Sequence, residues 1–164
     1  MSRRGAFLLI VSILVAVILQ TSVLPLYIDT LFKPDLLLVI MVVLALRVSY
    51  GTGVPLAWLL GLLKDVFSGL FLGLGACTYL IIFLVIKSVA DRLYAESGFL
   101  FVITVSAATF ASVAINMLLL IMFTNASTIA YSMLSSLLPH LLFNAFAASL
   151  VALLPLFAQD ENIA

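Results

Sequence analysis

Charge is what this sequence most lacks. Of its 164 residues only 9% are charged, seven basic and seven acidic, so the formal net charge is zero. A soluble domain carries charge on roughly a quarter of its residues, so a soluble fold is excluded. Zero net charge also leaves no basic tail for nucleic acid and no acidic tail for a basic partner. The single cysteine, Cys77, cannot form an internal disulfide and is silent about redox compartment. One histidine and scattered carboxylates make no metal-ligand set, so neither metal nor cofactor is expected. Paired carboxylates within the apolar runs, a Gly-x-Ser-x-Gly elbow and a phosphate-cradling Gly-rich loop are all missing. Catalysis needs a nucleophile and a base that can meet, and none is in view.

What is there is hydrocarbon. The chain is 66% hydrophobic with mean hydropathy +1.39. Several apolar runs approach the roughly 20 residues that cross a bilayer as a helix, and the strict alternation of a membrane barrel is absent. The expected architecture is an all-α polytopic membrane protein, one integral domain over 1–164 with six transmembrane helices. These are placed at about 6–24, 35–50, 54–68, 73–88, 99–123 and 139–157. A secretory or twin-arginine signal fits the basic start poorly, because no small-x-small cleavage site follows.

Along the chain, Pro25 is expected to end the first helix and Asp35 to sit at the N-terminus of the second, where the helix dipole favours a carboxylate. Gly51-Thr-Gly-Val-Pro55 is expected to be a turn. The i,i+4 pairs Lys87/Asp91 and Arg92/Glu96 suit a helix running on past the membrane. Thr124 to Thr128 is expected to be an outer turn, and residues 129–138, with three serines among apolar neighbours, could form an interfacial segment. Pro139 would then occupy the first turn of the last helix. With both termini cytoplasmic, Arg3, Arg4, Arg47, Lys87 and Arg92 lie inside and only Lys33 lies outside. That is the bias of the positive-inside rule.

One stretch departs from the apolar background: Gly61-Leu-Leu-Lys-Asp-Val-Phe-Ser-Gly-Leu-Phe-Leu-Gly73. A carboxylate in the middle of a membrane helix costs about 3 kcal/mol on insertion scales, so Asp65 must be packed against something or serve something. Ala57, Gly61 and Asp65 recur at i,i+4,i+8 with Ser68 and Gly69 continuing that side, a small-residue packing face. Lys64 and Asp65 point about 100° apart and are not automatically a pair. Asp65 could be a proton or substrate group, or a tether to backbone N–H groups or a hydroxyl on a neighbouring helix. With no relay behind it, the tether is favoured. Gly69 and Gly73 more naturally serve a turn than a helix-dimer contact. Pro55 to Ile86 gives only 32 residues for two crossings, so either both helices are short or the Gly69–Gly75 turn lies below the membrane surface, a constraint that points to an outward recess. Asn116, and His140 with Asn144 at i,i+4, fit hydrogen bonding between helices; Ala107/Ala111, Ala145/Ser149 and Ala148/Ala152 are small-xxx-small pairs beside them.

Lys33-Pro34-Asp35 before an apolar second helix, the six-helix layout, and Gly61-x-x-x-Asp65-x-x-Ser68-Gly69-x-x-x-Gly73 together resemble the bacterial rod shape-determining MreD family. The helix layout covers nearly the whole chain and the sharp motif only 61–73; Lys64 stands where the family pattern leads one to expect an apolar residue. The resemblance implies a non-enzymatic component of the cell-elongation machinery in the bacterial inner membrane. Its implied partners are MreC and, directly or through MreC, MreB filaments, RodA and its class B penicillin-binding partner, with lipid around it. It also implies a fold similar to the substrate-binding component of energy-coupling-factor transporters. A vitamin-binding component of such a transporter is the rival. That reading is disfavoured because the first helix offers only Ser12/Ala16 for docking and few polar groups converge from the outer loops.

Overall fold

The computed structural model describes residues 3–27, 34–68, 72–90, 98–123 and 127–153. Among them there are helices and short turns and no strand. We number six helical rods. The first, α1, runs Arg3–Ile18, passes through a π-helical turn Leu19–Val23 and ends with Leu24–Tyr27. The others are α2 (Leu36–Arg47), α3 (Tyr50–Ser68), α4 (Leu74–Ala90), α5 (Gly98–Phe123) and α6 (Ser127–Ala152).

The exterior differs from that of a water-soluble protein. Large apolar side chains cover the outside, with Leu26, Phe99, Met122 and Leu142 each more than 60% exposed. The interior holds Asp65, Thr78, Thr109, Ser112 and Asn144 beside Leu38, Met41, Tyr79, Phe83 and Phe101. Such an exterior is stable in hydrocarbon and would associate in water. Among the described residues one helix, Gly98–Met122, is long and apolar enough by itself to cross a membrane; Ile10–Val23, Leu36–Arg47, Leu74–Ala90 and Ser136–Ala152 are shorter apolar helices. At 1.5 Å per residue, the 12 residues of α2 reach about 18 Å and the 26 of α5 and of α6 about 39 Å.

Several sequence expectations are corrected. Pro25 does not end the first helix: the π-helical turn precedes it, Leu24 N–H donates to Leu19 O, and the chain stays helical to Tyr27. A proline removes one ladder bond, and a local π turn rearranges the neighbouring ones. The second helix stops at Arg47, not 50, because Val48 is extended. Gly51 to Pro55 is not a turn but the start of α3, whose ladder opens with Gly53 N–H to Ser49 O at 2.8 Å. Gly53 serves packing instead: a Cβ there would approach Cε2 of the Phe83 ring to 2.8 Å. The last helix begins at Ser127, so 129–138 belong to it and Pro139 lies well inside it, with Ala152 its last residue. Prolines inside membrane helices survive because neighbours re-satisfy the freed carbonyl. The pairs Lys87/Asp91 and Arg92/Glu96, together with Lys33, Gly69, residues 124–126 and the tail beyond 153, fall wholly or partly outside the described residues.

Candidate functional site

Two arrangements meet at one end of the short helices. The first is a joint between α3 and α4. The Asp65 carboxylate lies on the buried stripe of α3 with Gly53, Ala57, Leu60 and Gly61. Oδ2 accepts from Gly73 N–H at 2.8 Å and Ala76 N–H at 3.2 Å, and Oδ1 accepts from Gly75 N–H at 2.8 Å. A helix start leaves unpaired N–H groups and a partial positive charge. Asp65 answers both for α4, eight to eleven residues on in sequence. Hydrogen bonds to a charged group contribute about 1.5–3 kcal/mol each, enough together to offset burial of the carboxylate.

The rest of the motif makes that geometry possible. Gly73 has φ +103°, a left-handed conformation that glycine adopts without strain, and this turns its N–H toward Asp65. Gly61 brings the two backbones together: a Cβ there would lie 2.5 Å from Gly75 O and 2.7 Å from Ala76 N. Ser68 Oγ donates to Asp65 O at 3.2 Å in the last turn of α3. Gly69, the remaining motif glycine, is outside the described residues.

The second arrangement is a polar network centred on Asp35, the N-cap of α2, whose Oδ1 accepts from Leu38 N–H at 3.1 Å. Lys64 Nζ pairs with its Oδ2 at 2.5 Å, and Tyr79 Oη donates to Oδ1 at 2.8 Å. The Lys64 ammonium also stands 5.0 Å from the centre of the Tyr79 ring, within cation–π range. Asp35 N–H donates to Asn144 Oδ1 at 2.6 Å, and Asn144 Nδ2 donates to Thr109 Oγ at 3.0 Å. Nearby, Thr78 Oγ donates to Asn116 Oδ1 at 2.7 Å, and Asn116 Nδ2 lies 3.5 Å from Ser112 Oγ. Thr109 is close to the midpoint of α5, so this polarity lies halfway along the rod best able to cross a membrane.

The two arrangements border a partly open cavity of about 270 Å³, lined among others by Asp35, Lys64, Asp65, Asn116, His140 and Asn144. His140 and Asn144 thus face the same space as Asn116, across α5 and α6. Ala57 is fully buried in the core and Pro34 is buried just before α2. Among the described residues no group of three or more His, Cys, Asp or Glu could hold a metal ion. Sequence reasoning missed the Lys64–Asp35 pair, Tyr79, Thr78, Thr109 and Gln20, which also lines the cavity. The signal available for Lys64 was its depth: a lysine within a membrane helix needs a carboxylate, and Asp35 stands at a helix start.

The Asp65 oxygens are engaged by backbone donors on both sides, and Lys64 and Asp35 are engaged with each other. These bonds link α2, α3 and α4 to one another, and Asn144, Thr109 and Asn116 carry the links on to α5 and α6. No curated protein and no solved structure matches the chain. The family model described as rod shape-determining protein MreD matches residues 1–159, which takes in the joint, the network and the cavity. The chain belongs to the MreD family of rod shape-determining proteins.

Proposed function

We propose that this chain is a non-enzymatic scaffold of the bacterial cell-elongation machinery. In this reading it crosses the cytoplasmic membrane several times with both termini cytoplasmic, and its fold is similar to the substrate-binding component of energy-coupling-factor transporters. It binds MreC, and with it couples MreB filaments to RodA and a class B penicillin-binding protein. The observation that carries the reading is the use of Gly61, Asp65, Ser68 and Gly73, the most distinctive residues in the chain. Gly61, Asp65 and Gly73 join α3 to α4 and Ser68 bonds back to Asp65 O in the last turn of α3, which suits a rigid platform. The outward apolar side of α3, with Trp58, Leu59 and Val66 exposed, offers a partner's transmembrane helix a surface to pack on.

Depletion of the protein from its rod-shaped host tests this. Cells should round up while vitamin uptake is unchanged. Rods that persist with a specific loss of vitamin uptake would reject the scaffold and favour a vitamin-binding component.

A further inference from the structure

The cavity has one feature that holding helices together does not use. Gln20 Oε1 is buried and has no hydrogen-bond partner, and Gln20 lines the cavity. A buried carbonyl oxygen without a donor costs about 1–3 kcal/mol, so a donor supplied from elsewhere would be bound favourably. The backbone carries the same message: Gln20 belongs to the π-helical turn Leu19–Val23. Such turns re-aim side chains and are frequent at functional sites.

From the cavity and this amide we infer that the recess is a binding site for a small, uncharged, hydroxyl-bearing group that donates to Gln20. The lining selects that chemistry. Two carboxylates and one ammonium are present, so an anionic group entering the recess would meet a net negative wall, and a carboxylate or phosphodiester group has no proton to give Gln20. A cation finds little to hold it, because each carboxylate already accepts three hydrogen bonds of the roughly four it can take. A hydroxyl both donates and accepts, and the remaining wall offers both kinds of partner: the amides of Gln20 and Asn116 and the hydroxyl of Ser112. Leu38, Val113 and Leu120 give it apolar walls for the carbon skeleton. The volume of about 270 Å³ equals roughly nine waters at ~30 Å³ each, which suits a glycerol or single-sugar unit. The source is either the headgroup of a surrounding lipid or a free polyol.

The test uses the full chain in phosphatidylcholine nanodiscs doped with phosphatidylglycerol or with phosphatidylmethanol, the same phosphodiester without the diol, and reads retained lipid by native mass spectrometry. Wild type should retain phosphatidylglycerol about tenfold better, as loss of one buried hydrogen bond implies, and Gln20→Leu should erase the preference without lowering the unfolding temperature. Stabilisation of wild type but not Gln20→Leu by methyl glucoside, with no lipid preference, would assign the source to a free sugar. If Gln20→Leu fails to accumulate, Gln20→Met, close to glutamine in length and without a carbonyl acceptor, serves in its place. Equal retention of both lipids with no effect of the glycoside would overturn the inference and leave the recess to water, as would a preference that both Gln20 variants preserve.

Discussion

Gly61→Ala is expected to leave little folded protein in the membrane. The added methyl would meet Gly75 O at 2.5 Å and Ala76 N at 2.7 Å. Both are backbone atoms, so no rotamer change relieves the overlap and α3 must move away from α4. That movement stretches the three hydrogen bonds that Asp65 receives from Gly73, Gly75 and Ala76. Overpacking alone costs about 1–3 kcal/mol, and the strained cap adds to it. The measurement is the thermal unfolding midpoint in mild detergent together with the amount of protein in the membrane fraction. Gly51→Ala is the control on the same helix. Nothing lies within 4 Å of a Cβ at Gly51, so alanine there should match or slightly exceed wild type, as its helix propensity of up to ~1 kcal/mol over glycine suggests. Equal tolerance at the two positions would contradict the close crossing of α3 and α4.

Asp65→Asn is expected to lower stability by about 2–4 kcal/mol, the range for losing charge-assisted bonds at buried N–H groups. An asparagine side chain presents one oxygen and one NH2 group, so three backbone donors would compete for a single acceptor while an added donor points at them. Membrane level and partner binding should fall together, and any variant protein that does accumulate should bind normally. A group with a chemical task behaves differently. Normal protein level with function lost would mean that the carboxylate does something besides capping α4.

The all-helical character and the special status of Asp65 were legible because both are local. Composition demands helices in lipid, and a carboxylate flanked by Gly61, Ser68 and Gly73 demands a polar partner close in sequence; its donors begin eight residues on, at Gly73. The cap at Asp35 was legible for the same reason. Lys64 was not: its partner is 29 residues earlier, and only the crossing of α2 and α3 brings the two together. The prolines misled in the opposite direction. Proline usually marks a helix boundary, yet Pro55 and Pro139 lie inside helices, and the chain remains helical past Pro25 behind a π-helical turn. Gln20 carried no usable signal, since a lone glutamine near a helix end reads as ordinary until the π-helical turn and the cavity are seen together.

Gly61, Asp65 and Gly73 form a joint between α3 and α4, and the scaffold reading turns on what the protein holds. The most direct measurement is a mild-detergent pull-down of the tagged chain from its native membrane, with the co-purifying chains identified. The scaffold account predicts a single-span periplasmic partner, MreC, together with peptidoglycan synthases, and it predicts loss of that set with Gly61→Ala but not with Gly51→Ala. Recovery of an ATPase pair with a transmembrane coupling subunit, and no elongation proteins, would contradict it.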